Sequence, residues 1–155
     1  MTFHKLLIAN RGEIACRIIK SAHDMGISCV AVYVDADADS LFVKQADEAI
    51  RLSDSYLNSK EIIAAAKSTG AQAIHPGYGF LSENAKFSRD VLKEGLIWVG
   101  PNSRVITSMG DKLKAKVLAE KAGVPTLPMT TDPKKAGSIG FPVLIKAAAG
   151  GGGKG

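Results

Sequence analysis

Four consecutive glycines, Gly150, Gly151, Gly152 and Gly153, stand with Lys154 behind them and Lys146 ahead of them in the string IKAAAGGGGKG, and these residue types suggest chemistry most directly. A polyglycine turn presents successive backbone N–H groups, and a flanking lysine adds the positive charge that a phosphate tail needs. The spacing is not that of a Walker A loop, which requires GxxxxGK[ST] running into a helix; here Lys154 is followed by glycine. A flexible linker is the plain alternative, but linkers seldom follow an apolar run such as PVLIKA directly. Lys112, in Met109-Gly110-Asp111-Lys112, stands beside a helix start, where the dipole disfavours a cation unless an anion is near. Most of Lys114, Lys116 and Lys121 read simply as a solvated helix face.

The string HPGYGFLSEN, residues 75–84, follows an apolar run and precedes a helical pattern. In an open parallel sheet such a loop lies at the carboxyl edge, where ligands bind. Gly77 and Gly79 let the backbone pass close to a ligand, Tyr78 and Phe80 offer flat apolar surface, and Glu83 puts a charge near the helix start. Taken singly, His75 reads as a hydrogen-bonded structural histidine and Glu83 as a helix-start charge; the density of the cluster favours binding.

The loop Asn10-Arg11-Gly12-Glu13 lies where a dinucleotide fold would carry GxGxxG, and Asp35 where such folds place a ribose-binding acid. One glycine is too few, because Asn10, Arg11 and Glu13 would hold a pyrophosphate away from the backbone. Arg11 and Glu13 are instead expected to tie the loop to its neighbours by charge-assisted hydrogen bonds, and Asp35 to be solvated.

The elements that must position these loops alternate. Residues 5–9 read as a strand and Ile14, Ile18, Ile19 and Ala22 as a helix stopped by Gly26; strands follow at 29–34 and 49–52, with a brief helix near 41–46. A helix over 60–69, a strand over Ala73–His75, a helix over 84–94 and a strand over 96–99 continue the alternation. This predicts an α/β, doubly wound, mostly parallel sheet covered by helices on both faces, through about Pro101. Beyond it, helices over 103–109 and 111–122 and turns at Gly123, Pro125, Pro128 and Pro133 mark a second unit. Its one clear strand, residues 142–147, has no partner, so this unit reads as incomplete.

At 155 residues and 46% hydrophobic content the chain can bury one ordinary core. The absence of a long apolar run or a leader-like amino terminus argues for a cytoplasmic or matrix protein and against membrane insertion. A net charge of +5 with Lys and Arg scattered among acids fits a nucleotide phosphate better than nucleic acid. Cys16 and Cys29 have no metal-ligand spacing and are expected to be buried free thiols.

The strings IANRGEIACRII (8–19), IHPGYGFLSEN (74–84), GDK (110–112) and IKAAAGGGGKG (145–155) together resemble the biotin carboxylase family, in order, over essentially the whole chain. The resemblance implies a Rossmann-like pre-ATP-grasp domain over residues 1–110, then the truncated start of an ATP-grasp domain over 111–155. It implies that Lys112 and Lys146 hold ATP phosphates, that Gly150 to Gly153 with Lys154 form a mobile lid, and that Tyr78, with Glu83 in the same loop, lines the biotin pocket. The implied reaction uses MgATP and bicarbonate to make carboxyphosphate and then carboxylates biotin on a carrier protein, with a carboxyltransferase as the downstream partner. The family's Mg2+ ligands and remaining catalytic groups match nothing in this chain, so no activity is expected of it alone. The full-length family forms homodimers partly through the first helix, where Arg17, Lys20 and Asp24 occupy the matching face; solvated helix residues are the alternative for these three. Another ATP-grasp ligase, such as carbamoyl-phosphate synthetase, would share the architecture without HPGYGFLSEN. A self-contained nucleotide-binding module is disfavoured by the unfinished glycine loop.

Overall fold

The computed structural model describes residues 3–145, which fall into two compact units divided between residues 106 and 107. In the first unit, β1 (Lys5–Ile8) leads to α1 (Gly12–Asp24), β2 (Ser28–Tyr33), a 3-10 turn (Asp35–Asp37), α2 (Leu41–Gln45) and β3 (Glu48–Arg51). There follow α3 (Ser59–Ser68), β4 (Ala73–His75), α4 (Ala85–Lys93), β5 (Ile97–Trp98) and α5 (Ser103–Gly110), which runs into the second unit.

The five strands are all parallel in the order β3-β2-β1-β4-β5. Side chains alternate across a strand, so β1 feeds two cores. Leu7 and Ala9 join Val30, Val32 and Ile74 beneath α3 and α4, where Ile62, Ala66, Phe87 and Val91 are buried. Leu6 and Ile8 join Cys29, Ala31 and Ala73 against Ile14, Ala15, Ile18, Ile19 and Ala22 of α1 and Phe42 of α2. Phe87 and Trp98 meet edge to face at 5.4 Å, and the indole N–H donates to the Pro101 carbonyl at 3.0 Å. The helices start where the sequence offers caps: Asn58 accepts from the Glu61 N–H and Asn84 from the Phe87 N–H. Cys29 is buried as expected, whereas Cys16 is half-buried at the edge of its core, so only one of the two thiols meets the expectation of full burial.

In the second unit, α6 (Lys112–Lys121) is followed by a 3-10 turn (Pro133–Lys135) and α7 (Ala136–Ile139). Asp111 caps α6, accepting from the N–H groups of Leu113 and Lys114 at 3.0 and 3.1 Å. None of the residues of α6 is buried. The strand expected over 142–147 is not formed in its described part: Phe141 to Ile145 run without strand structure and without a strand beside them among the described residues. A lone strand leaves its N–H and C=O groups unpaired, so apolar sequence alone does not make one. No described helix is long and apolar enough to cross a membrane.

Candidate functional site at the carboxyl edge of the sheet

Strand order reverses between β1 and β4, and in a doubly wound sheet the crevice beyond the carboxyl ends at that point is the default ligand site. Here Asn10 fills its floor. The side chain is 2% exposed and donates to the Pro76 carbonyl at 2.7 Å and the Tyr78 carbonyl at 2.8 Å, while its own oxygen accepts from the Arg11 N–H at 2.9 Å. The two loops are thereby laced together, and a pyrophosphate could not reach the backbone without displacing them. Gly77 is required for this: its φ is +64°, and a Cβ there would lie 2.6 Å from the Asn10 amide nitrogen.

A second clamp closes the same edge. The Arg11 guanidinium grips Asp37 with two donors, Nε at 2.6 Å from Oδ2 and Nη2 on Oδ1. The Tyr56 hydroxyl donates to Asp37 Oδ2 at 2.6 Å and accepts from the Val34 N–H at 3.4 Å. Asp37 is buried, and the hydrogen-bonded Arg11 guanidinium holds its carboxyl below the ordinary carboxylate range, with burial opposing. Burial, then the Asp37 partner, raises the Tyr56 phenol well above its ordinary value, so it stays a donor. Tyr56 in turn packs on Phe80 at 5.4 Å between ring centroids, and Phe80 has a left-handed backbone, φ +44°. That conformation is costly for a bulky residue and persists only where neighbours enforce it. Phe80 thus rests one side on Tyr56 and keeps the rest of its ring exposed beside Tyr78.

What remains open is a hollow of about 450 Å³ lined by His75, Pro76, Gly77, Tyr78, Ser82, Val99, Gly100 and Pro101. His75 Nδ1 accepts from the Gly77 N–H at 3.0 Å, which places the proton of the neutral ring on Nε2. Burial, reinforced by the charge of Arg17, depresses the His75 pKa and keeps the ring neutral. Tyr78 stands exposed at the rim, and its hydroxyl donates to the Glu13 carboxylate, which raises the phenol's pKa.

Of the residues singled out in the sequence, Tyr78 lies at this hollow; Glu83 is exposed and is not among its walls. Arg11 and Glu13 tie the first loop to its neighbours as anticipated. Asp35 is exposed and gains an ion pair with Arg51, at 2.5 Å to Nε and 2.7 Å to Nη2. Arg17, Lys20 and Asp24 are exposed on α1, the last two paired with each other at 2.8 Å. Lys112 is exposed at the first position of α6, the helix that Asp111 caps. Lys146, Gly150, Gly151, Gly152, Gly153 and Lys154 lie outside the described residues. Sequence reasoning missed Asn10, Asp37 and Tyr56 as the groups that build the edge. The available signal was a polar residue directly after an apolar strand for Asn10, and nothing local for the other two.

Comparison with known proteins decides the relationship. The model of the biotin carboxylase N-terminal domain matches residues 2–106. The chain belongs to the biotin carboxylase family. Residues 111–155 match the ATP-binding domain of the carbamoyl-phosphate synthase L chain. The propionyl-CoA carboxylase alpha chain of Ruegeria pomeroyi is 52% identical over 99% of this chain, and the match spans 24% of that protein. A pyruvate carboxylase subunit from Methanothermobacter thermautotrophicus is 48% identical over 99% of this chain and 34% of its own length. The biotin carboxylase domain of the Hydrogenobacter thermophilus 2-oxoglutarate carboxylase, solved as a dimer with MgADP, ADP and bicarbonate, superposes with a TM-score of 0.91 at 45% identity, covering 99% of this chain and 37% of that one. The chain therefore spans about a quarter to a third of the length of the biotin carboxylase relatives it matches.

Proposed function

We propose that this chain supplies the amino-terminal part of an ATP-dependent biotin carboxylase, a ligase that uses bicarbonate to carboxylate biotin on a carrier protein ahead of a carboxyltransferase. The observation that carries the reading is the loop after β4. Asn10, Gly77 and the Tyr56–Phe80 contact hold it rigidly, and it presents Tyr78 and a neutral His75 at a hollow of about 450 Å³. That volume suits a small bicyclic ring, since ligand pockets run from about 300 to 1,000 Å³. Tyr78 forms one wall for the ureido ring, and Glu13 fixes its hydroxyl.

Lys112, Lys146 and the glycines with Lys154 take the ATP phosphates, each lysine as a compact charge and the glycines as a mobile lid. Mg2+ neutralises the triphosphate when bound, through carboxylates that this chain does not contribute. Arg17, Lys20 and Asp24 add a polar face to a dimer of the longer protein.

A chimaera tests this. Residues 1–155 replace the matching segment of the Ruegeria pomeroyi propionyl-CoA carboxylase alpha chain, and bicarbonate-dependent ADP release is measured with biotin. Activity is expected. Lys146→Ala should raise the KM for ATP by about tenfold or more, the loss of a charge-assisted phosphate contact, and Tyr78→Ala should raise the KM for biotin. A folded chimaera without ADP release would overturn the reading.

A further inference from the structure

At the opposite, amino edge of the sheet, three chemically different metal donors converge from three elements. His23 lies in the last turn of α1, Cys29 at the start of β2 and Asp47 just ahead of β3. Their ligand atoms all lie within 4.8 Å of one another. His23 Nε2 is 2.9 Å from Asp47 Oδ2, and the same oxygen accepts from the Cys29 N–H at 2.7 Å. The Cys29 sulfur faces the Ile27 carbonyl at 3.8 Å, too long to be a strong bond.

We infer that this triad is a binding site for a thiophilic divalent ion of the zinc class, separate from the carboxyl-edge hollow and independent of the proposed carboxylase function. A four-coordinate zinc holds its ligands at about 2.0–2.3 Å, which sets them between roughly 3 and 4 Å apart. His23 and Asp47 reach that spacing by small rotamer shifts, because their side chains are 40% and 48% exposed, while Cys29 stays fixed in the sheet. The exposed His23 and Asp47 give the ion its route to the buried Cys29 sulfur and a water its place as fourth ligand. The Cys29 N–H holds Asp47 Oδ2 at 2.7 Å, the kind of outer contact that orients ligating carboxylates. A sulfur, an imidazole and a single carboxylate select zinc or its soft neighbours over magnesium or calcium, which take oxygen. The α1 carboxyl terminus, where the helix dipole favours a cation, lies at the same place.

Coordination replaces the Cys29 S–H bond by a sulfur–metal bond, and the thiol proton passes to the buffer. The ion would pin the end of α1 to the leads of β2 and β3.

The test uses the whole chain titrated with Co2+ as a spectroscopic stand-in for zinc, followed by displacement with Zn2+ in a non-chelating buffer. A thiolate-to-cobalt charge-transfer band with the visible absorption of a four-coordinate ion is expected, along with a rise in Tm on zinc addition. Cys29→Ser should abolish the thiolate band, and Cys16→Ser should leave it intact. His23→Ala, at an exposed position that does not threaten folding, should weaken affinity at least tenfold. The inference fails if no saturable cobalt binding occurs, if binding shows no thiolate band, or if His23→Ala binds as tightly with the same spectrum.

Discussion

The two units of the chain are written in the same local language but bury very different amounts of it. In the first, central strands buried on both faces and amphipathic helices close two cores around β1, and Leu7, Ile8, Ile62, Ile74, Phe87 and Val91 lose nearly all contact with solvent. In the second, α6 has a capping aspartate and good helix formers, yet Leu113, Val117 and Leu118 stay exposed, as do Leu127, Phe141, Leu144 and Ile145 further on. Caps and propensity suffice to draw a helix. Only a facing surface from distant sequence makes it a core, and most helix stability in proteins comes from that packing.

Truncating core and surface side chains breaks or sharpens this contrast most strongly. Phe87→Ala is expected to lower unfolding free energy by about 3–5 kcal/mol, and Leu127→Ala to change it by less than about 0.5 kcal/mol. Urea denaturation followed by far-ultraviolet circular dichroism measures both; equal losses would erase the distinction between the units.

Next in size is the buried carboxylate of the first unit. Asp37→Ala removes the acceptor for Arg11 and Tyr56 and should cost about 2 kcal/mol, less than a fully buried pair because the Arg11 side chain is 47% exposed. The pH dependence has a definite sign. The folded Asp37 pKa is depressed by Arg11, so its stabilisation is complete above the unfolded-chain value of about 3.9, declines below it and is gone once pH passes the folded value. Wild type and Asp37→Ala should therefore converge in Tm as acid is added. Parallel curves would remove Asp37 from this role.

A smaller effect of opposite sign is expected at Ser88, whose hydroxyl is buried without a partner. Ser88→Ala should stabilise the first unit by roughly 0.5–1 kcal/mol, the relief of an unmet hydrogen-bonding group. Loss of stability there would mean that the hydroxyl has an unrecognised partner. The subtlest test is amide hydrogen exchange: the N–H groups of β1 and β4 should exchange at the rate of global unfolding, and those of α6 by local opening.

How much of this was readable in advance follows the same division. The pattern Ile14, Ile18, Ile19, Ala22 names the buried face of α1, and HPGYGFLSEN names the βα loop at the carboxyl edge, each within about two residues of the observed ends. Arg11 and Glu13 were legible as tethers because charged residues in a tight loop need partners. Their partners were not: Asp37 is 26 positions from Arg11 and 19 from Tyr56, and only the parallel topology brings them together. The Phe80 contact with Tyr56 was hidden for the same reason, since the two rings come from different loops. The string PVLIKA looked like a strand by composition, but strand formation depends on a neighbour that composition cannot supply.

The central place of β1 also constrains biosynthesis. It leaves the ribosome before either of its neighbours: one of its edges waits for β2 and the other for β4, so the pairing that encloses it is complete only when Ala73–His75 has emerged. At about 5–20 residues per second, translation keeps this apolar segment half-sheathed for several seconds.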